Sequence, residues 1–293
     1  MPERPDFIIA GAARCGTTAL FTYLAQHPSI FTPRAKEPAF FCTDLPGGIA
    51  TLDEYRALFA AAPEDCLAFE ASTRYLYSKV AIARIMAHNP ATKIIVMLRN
   101  PVDAAYSLHG YAYRYGYEAI VDFEDAWHAQ ASRTLHGPDT NTFEYAYGPI
   151  YLYAGQIARL LSLVPERQRH IVIYEEFFAD PASHFARLLK FLNLPPATIV
   201  FSSVGEYAGA VLPRLEQVLR RPPGWLSALY APLRPVFHAA RLHPAAMIRK
   251  LNFARRRKIA LRPAFRAELQ RYFADDIAEL EKLLGRELWR SVR

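Results

Sequence analysis

Apolar positions along the chain fall into two alternating kinds. Short runs rich in Ile, Val and Phe occupy residues 7–10, 67–70, 93–98 and 170–174, and their length and composition predict buried strands. Between them apolar residues recur at three- and four-residue spacing. That spacing predicts helices over 17–27, 52–61, 80–88, 102–114, 123–134, 151–164 and 182–192. Strands alternating with helices in this way build βαβ units, so the expected fold is α/β, a mostly parallel sheet with helices packed against it. The last element is the best marked. Pro263 opens it, Phe265, Leu269, Phe273, Ile277, Leu280 and Leu284 form one stripe, and Gly285 follows its end. The Pro-rich part over 213–244 interrupts any such period and predicts no element.

Composition narrows the class. A chain of 293 residues, 52% hydrophobic and 22% charged, buries a substantial core, which excludes a disordered or fibrous protein and suits one domain over 1–293. No apolar stretch reaches membrane-spanning length, and Met1-Pro2-Glu3-Arg4 leads into the first strand with no signal-peptide core, so a cytoplasmic protein is expected. Cys15, Cys42 and Cys66 are odd in number and widely spaced, the pattern of reduced thiols rather than of a disulfide framework or zinc site.

Charge changes the picture at one place. The net charge is +7, yet residues 211–258 alone hold eleven Lys or Arg against the single acid Glu216. Such a stretch suits a polyanionic nucleotide or an anionic acceptor, and its Trp225, Leu226, Leu229, Tyr230, Leu233, Val236 and Phe237 suit either a helical cover over a cleft or a peripheral membrane contact through 225–258.

Candidate chemistry begins at Gly11-Ala12-Ala13-Arg14-Cys15-Gly16-Thr17-Thr18, between the first strand and the first helix. Two glycines at this spacing let backbone N–H groups and a helix N-terminus face an anion. The lysine of a nucleoside-triphosphate loop is absent. Thr17 stands in its place, and the loop's cation is Arg14, two residues before Gly16. A second anion-binding feature is Lys93-Ile94-Ile95-Val96-Met97-Leu98-Arg99-Asn100-Pro101-Val102-Asp103-Ala104-Ala105-Tyr106-Ser107, a strand ending in Arg-x-Pro with a serine eight residues after the arginine. In a parallel sheet both lie at the carboxyl ends of strands, facing one crevice.

These two segments resemble the 5′-phosphosulfate loop and the 3′-phosphate motif of sulfotransferases that use 3′-phosphoadenosine 5′-phosphosulfate (PAPS). Lys36-Glu37-Pro38-Ala39-Phe40-Phe41 is similar to the K-E-x-x-F-F segment of the branch that includes heparan sulfate glucosaminyl sulfotransferases. Glu70-Ala71-Ser72-Thr73-Arg74-Tyr75-Leu76 and Tyr174-Glu175-Glu176-Phe177-Phe178-Ala179-Asp180-Pro181 follow in family-like order. The resemblance implies a P-loop-like sulfotransferase fold, PAPS as co-substrate, 3′-phosphoadenosine 5′-phosphate (PAP) as product and no metal. It places Arg14, Cys15, Gly16, Thr17 and Thr18 at the 5′-phosphosulfate, Arg99 and Ser107 at the 3′-phosphate, and Arg256 and Arg257 in a basic lid. Glu37 is the implied general base, with Arg14 and Lys36 beside the transferring group.

The chain departs from that branch at Ala71, where the branch commonly carries a lysine; Lys36 and Arg74 are the nearest cations in sequence. His109 is a second candidate base, since other branches use histidine. Tyrosines at 111, 113, 115 and 117, and a second group at 143–153, offer flat faces with polar tips for an acceptor. Tyr111, His109 and Arg74 are therefore the acceptor-side candidates, and the acceptor itself is a carbohydrate, lipid head group, phenol or secondary metabolite. Two other classes remain open at this point. An atypical kinase would require ATP and magnesium. A non-catalytic basic module would bind nucleic acid or membrane in a salt-dependent way; no nucleic-acid partner is expected of a sulfotransferase.

Overall fold

In the computed structural model, which describes residues 4–133, 142–202, 208–210, 253–255 and 261–289, the first strand, β1 (Phe7–Gly11), is buried along its whole length. β3 (Leu67–Ala71) pairs with it on one side and β4 (Lys93–Leu98) on the other, both parallel. The two-residue β2 (Ile30–Phe31) extends the sheet beyond β3, and β5 (Arg169–Ile173) extends it beyond β4, giving the order β2-β3-β1-β4-β5. This is the α/β parallel sheet that the alternating pattern predicts. The near-continuous burial of β1 and β4 explains why their sequences read as unbroken apolar runs, since neither face meets water.

The topology fixes where a ligand can sit. The chain leaves β1 toward β2 on one side and leaves β4 toward β5 on the other, so the neighbours β1 and β4 flank the point where the strand order reverses. Loops after such strands diverge and leave a crevice at their carboxyl ends. Gly11 ends β1 and Arg99 follows β4, so both segments read as anion sites open onto that crevice.

The helices match the apolar spacing closely. They are α1 (Thr17–Leu24), α2 (Leu52–Ala57), α3 (Ala81–His88), α4 (Pro101–Arg114), α5 (Phe123–Ala129), α6 (Tyr153–Leu163), α7 (Tyr174–Ala179), α8 (Pro181–Leu192) and α9 (Pro263–Leu284). Thr51 and Glu54 form a reciprocal capping box at α2, and Asn100 caps α4 ahead of Pro101. In α9 Phe265, Leu269, Phe273 and Leu280 are buried, and Gly285 takes the left-handed conformation that ends the helix. α9 packs on α6 and α4. Besides the ribbon below, two elements escape the sequence pattern: β2, too short for any period, and α7, which starts at Tyr174 directly after β5 with no side-chain cap to announce it. A short antiparallel ribbon, β6 (Ala208–Ala210) with β7 (Phe253–Arg255), lies beside α4. Apart from β7, the basic 211–258 region, with Arg256 and Arg257, lies outside the described residues. No helix among the described residues is long and apolar enough to cross a membrane.

Candidate active site

The loop after β1 is shaped by its glycines. Gly16 has φ 87°, the left-handed region, and a Cβ there would come within 2.9 Å of the Phe178 ring and 3.0 Å of Tyr174. Only glycine meets both demands. It caps α1, which has no side-chain cap and no acidic residue in its first turn. The N–H groups at the start of α1 therefore face outward with the positive end of the helix dipole behind them, an arrangement suited to an anion. Thr17 is buried and Thr18 exposed at this terminus.

Arg14 sits in the same loop with φ 60°. Its Nε donates to Ser107 Oγ at 3.3 Å, and its guanidinium lies 5.0 Å from the centre of the Tyr111 ring. Burial pushes the Tyr111 phenol up to about 12, so the ring beneath the guanidinium stays neutral. Arg99 extends from the end of β4, stacks 4.3 Å from the Tyr174 ring centre and donates from Nη1 to the Arg14 carbonyl at 3.3 Å. Its Nε is buried with no hydrogen-bond partner in the structure. An orphaned guanidinium N–H next to an uncapped helix terminus is costly unless an anion completes it.

Buried tyrosines hold these loops from below. Tyr151 donates to the Ala13 carbonyl at 3.1 Å, and Tyr153 donates to the Arg99 carbonyl at 3.2 Å while lying 3.4 Å from Cys15 Sγ. Tyr147, Tyr151 and Tyr153 are fully buried and Phe143 nearly so. Phe143, Tyr147, Tyr151 and Tyr153 are thus core rather than acceptor surface, Tyr147 donating to Glu118 Oε2 at 2.6 Å, whereas Tyr145 is half-buried with its hydroxyl on the Tyr117 carbonyl. Cys15 is a loop-packing residue, its thiol pushed up to about 12 by complete burial. Glu175 supports the second loop, accepting from Asn100 N at 3.0 Å and from Trp289 Nε1 at 2.8 Å.

Glu37 lies at the carboxyl end of β3, the strand beside β1, on a left-handed turn with φ 63°. Its backbone N–H donates to Ala71 O at 2.9 Å, and its Oε2 accepts from Thr73 N at 2.7 Å and Thr73 Oγ1 at 3.1 Å. Its Oε1 pairs with Lys36 Nζ. The carboxylate is exposed at the end of β3 with a fixed direction. Arg74, an acceptor-side candidate, donates to Pro46 O at 2.6 Å, stacks 5.0 Å from the Phe143 ring centre and pairs with Glu144 at 3.4 Å. Glu144 was not legible as a site residue. It is 7% exposed, its pKa is raised by burial, and it feels the charges of Arg74, Glu37 and Arg14. No motif marks it; only folding brings it to this cluster.

His109 departs from expectation. It neither lines the crevice nor sits on a solvated helix face: it is 4% exposed, bonded through Nε2 to the Ile120 carbonyl at 3.0 Å and packed against Phe123, Tyr113 and Tyr147. Burial lowers its pKa, leaving a neutral core imidazole. It stands two positions after Ser107, and on a helix that step turns the side chain to another face. A cavity of about 630 Å³ near Asp44, Tyr77, Lys79, Gln156, Arg159 and Asp276 shares no residue with the Arg14–Glu37 cluster.

This geometry can be set beside known proteins. A model of the sulfotransferase domain family matches residues 4–207. Human heparan sulfate glucosamine 3-O-sulfotransferase 3B1 is 32% identical over 192 residues, which cover 66% of this chain and 47% of that protein. Human bifunctional heparan sulfate N-deacetylase/N-sulfotransferase 2 is 30% identical over 199 residues, 66% of this chain and 22% of that one. The chain thus spans about half the length of the first relative and under a quarter of the second. Among solved structures, a sulfotransferase from Alicyclobacillus acidocaldarius is similar with a TM-score of 0.69 and 27% identity, over 97% of both chains. The family match runs from the first strand past the last strand of the parallel sheet and includes both anion-facing loops and the Glu37 turn, and the chain belongs to the sulfotransferase domain family.

Proposed function

We propose that this protein is a PAPS-dependent sulfotransferase that moves a sulfuryl group to a hydroxyl or amine of a carbohydrate-like acceptor. One observation carries the reading: two anion-binding loops, one led by Arg14 and the other by Arg99, meet at the strand-order reversal, and the buried Nε of Arg99 lacks a partner. A nucleotide phosphorylated at both its 3′ and 5′ ends supplies an anion to each. Arg99 and Ser107 hold the 3′-phosphate through charge-assisted hydrogen bonds. Arg14, Thr17, Thr18 and the N–H groups of Cys15, Gly16 and α1 hold the 5′ end.

PAPS supplies the sulfuryl group and a leaving group whose bridging oxygen gains negative charge as the bond breaks. Arg14 and the α1 terminus stabilise that charge. Glu37 accepts the proton of the attacking acceptor, oriented by Thr73 on one oxygen and by Lys36 on the other. Lys36 places a cation beside Glu37 although Ala71 carries none. The resemblance to heparan sulfate sulfotransferases supports a carbohydrate-like acceptor, with Arg74 and Tyr111 on its side of the crevice. Arg256 and Arg257 belong to the proposed lid, and a membrane contact through 225–258 is a separate proposal about the same region.

The test is a screen of radiolabelled PAPS, with magnesium left out, against mixed glycans, lipids and phenols. Labelled glycan is the expected product. Transfer only with ATP and magnesium would replace this reading with a kinase.

A further inference from the structure

Beneath the Glu37 turn lies a carboxylate that the reaction does not touch. Glu70, on β3, is fully buried; its Oε1 accepts from Tyr55 OH at 2.9 Å and Tyr75 OH at 2.7 Å, and its Oε2 accepts from Ser72 Oγ at 2.8 Å. Ser72, also fully buried, accepts in turn from Ala39 N at 3.0 Å. Ala39 and Glu37 both have positive φ, 51° and 63°, conformations that non-glycine residues hold only when surrounding contacts fix them.

We infer that Glu70 is a positioning residue: through Ser72 it anchors the Pro38–Ala39 backbone and so sets the direction of the Glu37 carboxylate. The reasoning is one of hydrogen-bond polarity. A serine hydroxyl has one proton to give. Donating it to Glu70 leaves only lone pairs, and a lone pair is what the Ala39 N–H requires. An apolar group at position 70 frees the hydroxyl to turn, and an amide keeps an acceptor on one side only, so with its NH2 toward Ser72 it too releases the hydroxyl; the strained turn then loses its anchor next to Thr73, which grips the Glu37 carboxylate. The two tyrosines satisfy the other oxygen and touch the segment after the turn through their rings, Tyr55 stacking 4.6 Å from the Phe40 ring centre and Tyr75 lying 5.8 Å from that of Phe41; Tyr55→Phe keeps its ring. Among its three hydroxyl partners, Ser72 is the one that carries Glu70 to the Ala39 N–H beside the base.

This inference rests on the reading of Glu37 as the base. Its test compares Ser72→Ala, Glu70→Gln and Tyr55→Phe for turnover of radiolabelled PAPS onto glucosamine oligosaccharides and for PAP affinity, with a crystal structure of Ser72→Ala. Expected are a ten-fold or greater fall in kcat for Ser72→Ala with PAP affinity within two-fold of wild type, no larger fall in the Glu70→Gln, Ser72→Ala double variant than in the worse single one, and near wild-type kcat in Tyr55→Phe. In the crystal, the Glu37 carboxylate should leave Thr73. Wild-type kcat in Ser72→Ala, an unmoved Glu37, an equal loss of PAP affinity, or an equal kcat loss in Tyr55→Phe each overturns the inference, whether or not Glu70→Gln folds. Absence of sulfate transfer by the wild-type protein would instead strike the proposed function and leave the crystallographic result to decide the anchoring.

Discussion

Arg14 and Ser107, 93 residues apart in the chain, are joined by a 3.3 Å hydrogen bond from Nε to Oγ. The cation read as facing the transferring sulfate thus rests on the hydroxyl read as facing the 3′-phosphate. Since the Arg14 carbonyl also accepts from Arg99, the two loops form one connected surface. A bound nucleotide with phosphates at both ends has to divide these groups between its ends.

That division gives the first prediction. Arg99→Ala should weaken PAP about 10- to 100-fold, as expected for loss of a charge-assisted hydrogen bond worth about 1.5–3 kcal/mol, while adenosine 5′-phosphate affinity changes little. Titration calorimetry with both nucleotides checks it, and equal losses would remove Arg99 from the 3′-phosphate.

Glu37→Gln should lower kcat by about 10²- to 10⁴-fold, the usual contribution of a positioned general base. PAP affinity should stay near wild type, since the carboxylate oxygens are engaged by Thr73 and Lys36 rather than by the groups read as holding the phosphates. Steady-state kinetics together with nucleotide titration separate the two effects, and unchanged turnover reassigns the base.

Gly16→Ala should damage the nucleotide loop in two ways. The left-handed φ costs a non-glycine residue about 1–2 kcal/mol, and the added Cβ collides with Phe178 and Tyr174, the latter stacked on Arg99. A lowered Tm accompanied by weaker PAP binding is expected; a variant with both unchanged contradicts the loop geometry.

Stability should depend on pH through Glu70. Complete burial pushes its carboxyl from the usual 4.5 up to about 7, partly offset by the bonds from Tyr75, Ser72 and Tyr55, with the Glu37 charge adding to the rise. A raised folded pKa means the folded state binds the proton more tightly than the unfolded one. The contribution is full below about 4.5 and is lost as pH rises toward about 7, on the order of a few kcal/mol. Denaturant titrations between pH 4 and 8 should show that fall flattened in Glu70→Gln; identical slopes in the two proteins would contradict it.

Alkylation distinguishes the thiols. Cys15 and Cys42 are buried, and burial raises both to about 12, whereas Cys66 is partly exposed. Iodoacetamide at neutral pH should label Cys66 first in the native protein and reach the other two only on unfolding. Mass spectrometry showing native labelling of Cys15 would mean that its loop opens.

The parallel sheet, eight of the nine helices described here and the two anion loops were legible in the sequence because each has a local cause. Apolar runs such as Ile94–Met97 are strands since both faces are covered, Pro263 and Gly285 bound α9 through backbone conformation alone, and Gly11 and Gly16 hold φ values that need glycine. Glu37 was singled out by its motif. What chain order left undetermined are relations between distant segments. Burial is one: His109 and Tyr151 have the same polar tips as surface residues, and only the packing of α4, α5 and α6 around them sends one into the core and the other beneath the Arg14 loop. Charge proximity is another, for nothing near Glu144 or Glu70 in sequence shows that one meets Arg74 or that the other, through Ser72, reaches the Glu37 turn. Local backbone preference is written residue by residue, whereas desolvation and hydrogen-bond partnership exist only once the strands have been placed side by side.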